Sequence, residues 1–143
     1  MNVAQLARVP NWDMRLIKWA RGLVAEPYVW GLTDCGSLAR GALWALYEAD
    51  PLGDLSWDSE ETALEALEAL GGLETALREV GARELPIRFA QSGDLLVERE
   101  GNAHPARLYV MVAGNLLYTL PDDGVHLMSV RELPERLQLW RLP

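Results

Sequence analysis

The chain has 143 residues, enough for one domain with a sizeable core. Half of them are hydrophobic and 24% charged, and the formal net charge of −8 speaks against the clustered Lys and Arg that binding nucleic acid requires. No window approaches the ~20 uninterrupted apolar residues of a membrane helix, and Met1-Asn2-Val3-Ala4-Gln5 lacks the basic start and apolar centre of a secretory signal, so neither insertion nor export is expected.

In chain order, Asn11 can cap a helix over Trp12–Leu23. Trp12, Leu16, Trp19, Ala20 and Leu23 form its apolar stripe, with Arg15, Lys18 and Arg21 on a solvated side. Glu26-Pro27 ends it, because a residue before proline is pushed out of the helical region. The stretch Tyr28-Val29-Trp30-Gly31-Leu32-Thr33-Asp34-Cys35-Gly36-Ser37 then leads into a second helix that runs to about Ala49. From Cys35, the residues Leu38, Ala39, Ala42, Leu43 and Leu46 recur on one helical face, which sets the only cysteine in the first turn. A thiol there feels the positive end of the helix, which favours thiolate, the nucleophilic form. The other reading of a lone cysteine is a small buried hydrophobe. One cysteine forms no internal disulfide, which points to a reducing compartment or a particle assembled in one.

Asp50-Pro51-Leu52-Gly53-Asp54 is a turn-rich exit. Asp58 with Glu61 suits a capping box for a short helix carrying Ala63, Leu64, Leu67 and Leu70, stopped by Gly71-Gly72. Leu73, Ala76, Leu77 and Val80 repeat the pattern up to Gly81. Glu60, Glu61, Glu65, Glu68 and Glu74 have no histidine at ligand spacing, so they read as a solvated acidic face, and no metal or cofactor is expected. After Pro86 the periodicity becomes strand-like. Strands are expected over residues 93–98, 108–113, 116–120, 125–130 and 138–142, with turns at Arg99-Glu100-Gly101-Asn102, Gly114-Asn115 and Pro121-Asp122-Asp123-Gly124. Helices followed by a meander of short strands make an α+β fold, one domain over residues 1–143 with an antiparallel sheet.

The segment Tyr28-Val29-Trp30-Gly31…Asp34-Cys35 resembles the signature of the papain-like NlpC-type cell-wall peptidases, in which an aromatic-Trp-Gly approach leads to a nucleophilic cysteine at a helix start. Gly36-Ser37 stands where the family has Ser-Gly. Gly93-Asp94 matches the opening of the family's first strand. Gly71-Gly72-Leu73 and Trp140-Arg141 extend the likeness to a small phage-tail-associated branch. That resemblance implies N-terminal helices packed on a C-terminal antiparallel sheet. It also implies a cysteine peptidase or amidase acting on peptidoglycan stem peptides or cross-links, located in the virion and neighboured by other tail proteins. The alternative it leaves open is a degenerate structural component, an adaptor or plug of the distal tail.

By the same likeness, Cys35 is the nucleophile, Tyr28 sits beside it near the oxyanion, and Asp34 precedes it, either in the site or as a helix cap. The family's base is a histidine opening the next strand, a position that falls here near Arg107 or Leu108. Of the chain's two histidines, His104 comes first as a candidate base and His126 second, the latter also reading as filler on an apolar strand face. Ser37 can offer a second hydroxyl to the cleft or simply occupy the first helical turn. Among the six tryptophans, Trp12, Trp19 and Trp44 read as core, and Trp30 is the one placed to contact substrate.

Overall fold

The computed structural model describes residues 6–98 and 107–143. His104 and the expected turn at Arg99–Asn102 lie outside the described residues. Four helices come first: α1 (Trp12–Leu23), α2 (Cys35–Tyr47), α3 (Glu60–Ala69) and α4 (Leu73–Glu79). Six strands follow: β1 (Arg83–Leu85), β2 (Leu95–Glu98), β3 (Arg107–Val112), β4 (Asn115–Leu120), β5 (Gly124–Ser129) and β6 (Leu137–Arg141). The strands form one antiparallel sheet in the order β1-β6-β2-β3-β4-β5, so the fold is α+β. No helix among the described residues is long and apolar enough to cross a membrane.

Both faces of the sheet are covered, and the pleat sorts its residues between them. Leu95, Val97, Leu108, Val110, Leu117, Val125 and Trp140 point to the helices and join Leu16, Leu38, Ala42 and Leu46 in the main core. Leu96, Met111, Leu116, Leu137 and Leu139 form a second cluster on the other face, against Ile87, Tyr109 and Tyr118. Burial on two faces explains why these strands are nearly continuous apolar runs rather than clean alternations.

Several local details differ from the sequence reading. Asn11 stands at the start of α1, but in a left-handed conformation, and its side chain makes no capping bond. The box that opens α3 is Ser59 with Thr62, not Asp58 with Glu61: Ser59 Oγ accepts from the Thr62 N–H (3.1 Å), and Thr62 Oγ1 accepts from the Ser59 N–H (3.0 Å). The β3–β4 loop is Ala113-Gly114, one residue earlier than expected, with both residues at positive φ as the twist of a two-residue hairpin requires. Arg15 is not merely solvated. Its guanidinium donates to the Ala45 carbonyl (2.8 Å) and pairs with Glu48 (2.8 Å), a cation at the negative end of α2. Strand β1 escaped notice because it is a three-residue edge strand with two exposed charged residues, too short for any period to show.

A buried ion pair ties the ends of the sheet region together. Arg141 donates from Nε to Oδ1 (3.0 Å) and from Nη2 to Oδ2 (2.9 Å) of Asp94, which is 1% exposed and also accepts from the Gln91 N–H (2.7 Å). This two-pronged geometry is the strong form of such a pair.

Candidate functional site

The approach to α2 is held by hydrogen bonds to two buried side chains. Thr33 Oγ1 accepts from the Val29 N–H (2.7 Å) and donates to the Pro27 carbonyl (2.6 Å). Asp34, 2% exposed, is the hub. Its carboxylate accepts from the Ser37 N–H (3.1 Å) as the N-cap of α2, and from the Ser37 hydroxyl (2.7 Å), the Gly31 N–H (2.7 Å) and the Trp57 indole N–H (3.1 Å). Asp34 and Ser37 therefore serve each other at the helix start.

Gly31 is obligatory here. It adopts φ +86°, and a Cβ would lie 2.3 Å from the Trp57 carbonyl oxygen.

Trp57 is the site residue that sequence reading missed. It lies 23 positions from Asp34 in a turn-rich stretch, and nothing local marks it as a partner. Its ring also lies where a Cβ on Gly36 would approach Cζ2 to 3.3 Å, and the Arg40 guanidinium sits 5.7 Å from its centroid. Arg40 is itself anchored by Asp50 (2.7 Å) and by the carbonyls of Leu55 (2.6 Å) and Gly53 (2.8 Å), which fixes the loop carrying Trp57. Trp44, expected in the core, is instead 56% exposed and borders an outer groove of about 360 Å³ together with Leu32, Ser37, Asp50 and Trp57. Ser37 thus lines this outer groove rather than the Cys35 cavity. The reason for Trp44's exposure is phase: α2 buries Leu43, Ala45, Leu46 and Tyr47, and position 44 falls on the outward side.

Cys35 opens α2 and lines a cavity of about 140 Å³ shared with Trp30, Ala39, Leu67 and Leu108. Tyr28 stacks edge-to-face on Trp30, with ring centroids 5.3 Å apart. Burial raises the Tyr28 hydroxyl well above its ordinary pKa, and the charges of Cys35, Asp34 and Glu60 add to that. The Cys35 thiol is also pushed up. Burial is the main cause, a backbone hydrogen bond involving Leu108 pulls the other way, and the Asp34 carboxylate raises it further. The positive end of α2 is present as expected, but desolvation outweighs it.

The residue of β3 that meets the sulfur is Leu108, on the helix-facing side of the sheet. His126 lies on the opposite face. It pairs across the strands with Tyr118, stacks on that ring at 5.3 Å, and approaches Asp123 Oδ2 at 2.8 Å. The sheet itself lies between His126 and Cys35, so the structure does not bring these two residues together. It belongs to a polar group on the far side that includes Tyr109, whose hydroxyl donates to Glu98 and whose pKa is pushed up to about 12 by burial and that carboxylate.

Fold and site together define a small α+β domain in which a cysteine at a helix N-terminus is pressed against the start of a sheet strand. The chain belongs to the family described as a domain of unknown function, DUF6950, whose sequence model matches residues 7–142. No curated protein and no solved structure matches it.

Proposed function

We propose that the protein is a small NlpC-type domain of a phage tail that keeps the outline of a cysteine-peptidase site but does not hydrolyse. It acts as a structural component of the distal tail, an adaptor or plug between other tail proteins. The observation that carries this reading is Leu108: near the strand position where the resemblance calls for an imidazole stands a leucine that lines the same cavity as Cys35 and whose backbone hydrogen-bonds the thiol. The direction of the thiol pKa supports it, because a raised value leaves little thiolate near neutral pH. The cavity wall supports it too. Its charged members, Asp34 and Arg40, are both engaged within the chain, so neither offers recognition to a polar stem peptide.

A second reading is favoured by the position of Cys35 in the first turn of α2 beside Tyr28. Here the protein is a peptidase or amidase of peptidoglycan peptides, and His104, four residues before Leu108, supplies the base. The thiolate adds to the amide carbonyl, the amine leaves with the proton carried by the imidazole, and water then splits the thioester to free the acid.

One titration separates the two. The rate of Cys35 alkylation is measured from pH 5 to 10 in the natural protein and in His104→Ala, with clearing of purified cell walls followed in parallel and Cys35→Ala as the control. The structural reading expects reactivity that rises only above the ordinary thiol range, unchanged in His104→Ala, and no clearing beyond the control. An inflection well below pH 8 that moves up in His104→Ala, with clearing that depends on Cys35, would replace it with the enzymatic one.

A further inference from the structure

A strand at the end of a sheet carries a row of unpaired backbone groups, and a fold that stays single covers or charges them. One end of this sheet is β1, three residues long with Arg83 and Glu84 exposed. The other end is β5, six residues long and without Lys, Arg, Asp, Glu or Pro. Only its beginning is covered. There the Val125 N–H donates to the Glu26 carbonyl (3.0 Å), and the Val125 carbonyl accepts from the Ala25 N–H (3.0 Å).

Those two bonds fix which way the rest of the edge points. In an antiparallel pair, alternate residues turn both backbone groups to the same neighbour. Val125 turns outward, so Leu127 and Ser129 turn outward too, while His126 and Met128 turn to β4. The Val130 N–H, which donates inward to Gly114 (3.4 Å), keeps that phase. Among the described residues no hydrogen bond reaches the backbone N–H or C=O of Leu127 or Ser129. Between them Met128 is 49% exposed, on the face away from the helices.

This open stretch is complementary to itself. Laid antiparallel with Leu127 opposite Ser129 of a second copy, it forms four backbone bonds and satisfies every outward group of both residues. Setting Leu127 opposite Leu127 forms only two, because Ser129 then meets Val125, which Ala25 and Glu26 already occupy. In the four-bond register the two Met128 side chains meet on the two-fold axis, at a pair position where side chains lie close. The charges favour the same arrangement. Exposed Glu26 stands at the Val125 end and exposed Arg131 lies just beyond Ser129, so antiparallel pairing brings Arg131 of each copy towards Glu26 of the other. The overall charge of −8 is screened beyond about 8 Å at physiological salt, and the local pairs then count for more.

We infer that the outer edge of β5 is a self-association surface, through which two copies of the chain join their sheets into one around a two-fold axis at Met128. A contact this small belongs to the weak and transient class of interfaces.

The test is sedimentation of the full chain from about 10 µM to about 1 mM, the range in which a weak interface forms, with amide exchange measured at both ends. The mass should rise from monomer towards dimer, and exchange of the Leu127 and Ser129 amides should slow several-fold at the higher concentration. Ser129→Pro removes an outward N–H from each copy and should weaken the dimer at least about tenfold. It should leave the monomer's Tm unchanged, since proline is tolerated on an edge strand where its nitrogen faces solvent. If that variant fails to fold, Met128→Lys, at an exposed position, sets two like charges on the axis and should weaken the dimer as much. Arg131→Glu should weaken it several-fold, and Glu26→Arg in the same chain should restore it. A chain that stays monomeric at about 1 mM would leave the edge to a strand of a different protein and overturn the inference. Dimerisation undiminished in folded Ser129→Pro or Met128→Lys would overturn it as well.

Discussion

The most informative single perturbation is at Asp34, because its carboxylate is a cap, a loop clamp and a charge beside the thiol at once. In Asp34→Ala, four donors lose their acceptor: the Ser37 N–H, the Ser37 hydroxyl, the Gly31 N–H and the Trp57 indole N–H. Loss of an N-cap costs about 1 kcal/mol. A buried donor left unpaired costs about 1–3 kcal/mol, and the Gly31 and Trp57 groups are the two that a rotating hydroxyl or a solvated helix end cannot rescue. The sum is roughly 3–7 kcal/mol. Unfolding entropy for a chain of this length gives roughly 3 °C per kcal/mol, so Tm should fall by roughly 10–20 °C.

Urea unfolding measures the loss directly, and thiolate absorbance at 240 nm supplies the second readout. In the near-isosteric Asp34→Asn the negative charge that raises the Cys35 pKa is gone, so the thiol should ionise at lower pH than in the natural protein. Destabilisation by Asp34→Ala of less than about 1 kcal/mol would mean that the carboxylate is not the hub of this segment. A thiol pKa that rises in Asp34→Asn would refute the electrostatic assignment.

Three other outcomes follow from the same geometry. Gly31→Ala forces a side chain against the Trp57 carbonyl at positive φ and should cost about 2–4 kcal/mol in urea unfolding, detaching Trp57 as seen in its fluorescence. Arg141→Ala leaves the buried Asp94 carboxylate with the Gln91 N–H but without its charged partner and should cost about 3 kcal/mol in urea unfolding. At alkaline pH the sign is fixed by four acids with raised values in the fold, Cys35, Tyr28, Tyr47 and Tyr109. The folded state holds their protons longer than the unfolded chain. Their contribution is therefore intact below the ordinary thiol range and is lost as pH rises through 10 toward the Tyr109 value of about 12. The urea midpoint followed from pH 8 to 11 should fall, and less steeply in Tyr109→Phe.

The helices were legible because their apolar residues repeat at a period of 3.6, and α1 was found to the residue. The strands were legible as β-rich runs, but which face each side chain takes was not. On β5, His126, Met128 and Val130 read as one face of a core strand, yet the helices cover the face carrying Val125 and Leu127. A sheet buried on both sides gives no polar alternation to orient it, and that is how His126 came to be weighed as a base. Long-range partnerships were equally invisible. Gly93-Asp94 and Trp140-Arg141 stood out as separate landmarks, and only the fold shows that Asp94 and Arg141 are two halves of one ion pair. Trp57 had no local signal at all, since its role is defined entirely by the loop that Arg40 folds back.

What remains is whether the apposition of α2 and β3 could support chemistry if given the missing group, and Leu108→His asks that directly. Leu108 is buried on the helix-facing side of β3 and lines the same cavity as Cys35, so an imidazole introduced there enters the space that holds the sulfur. Exchanging the isobutyl group for a buried imidazole should cost about 1–3 kcal/mol of stability. In return, an imidazolium next to the sulfur favours the thiolate, opposing the desolvation that now dominates. Each unit by which the thiol pKa falls raises the thiolate fraction, and with it the alkylation rate at pH 6, about tenfold until ionisation is complete. A folded variant whose thiol titrates as before would mean that residue 108 and Cys35 do not face each other in solution, and the reading of a peptidase frame without its base would fall with that contact.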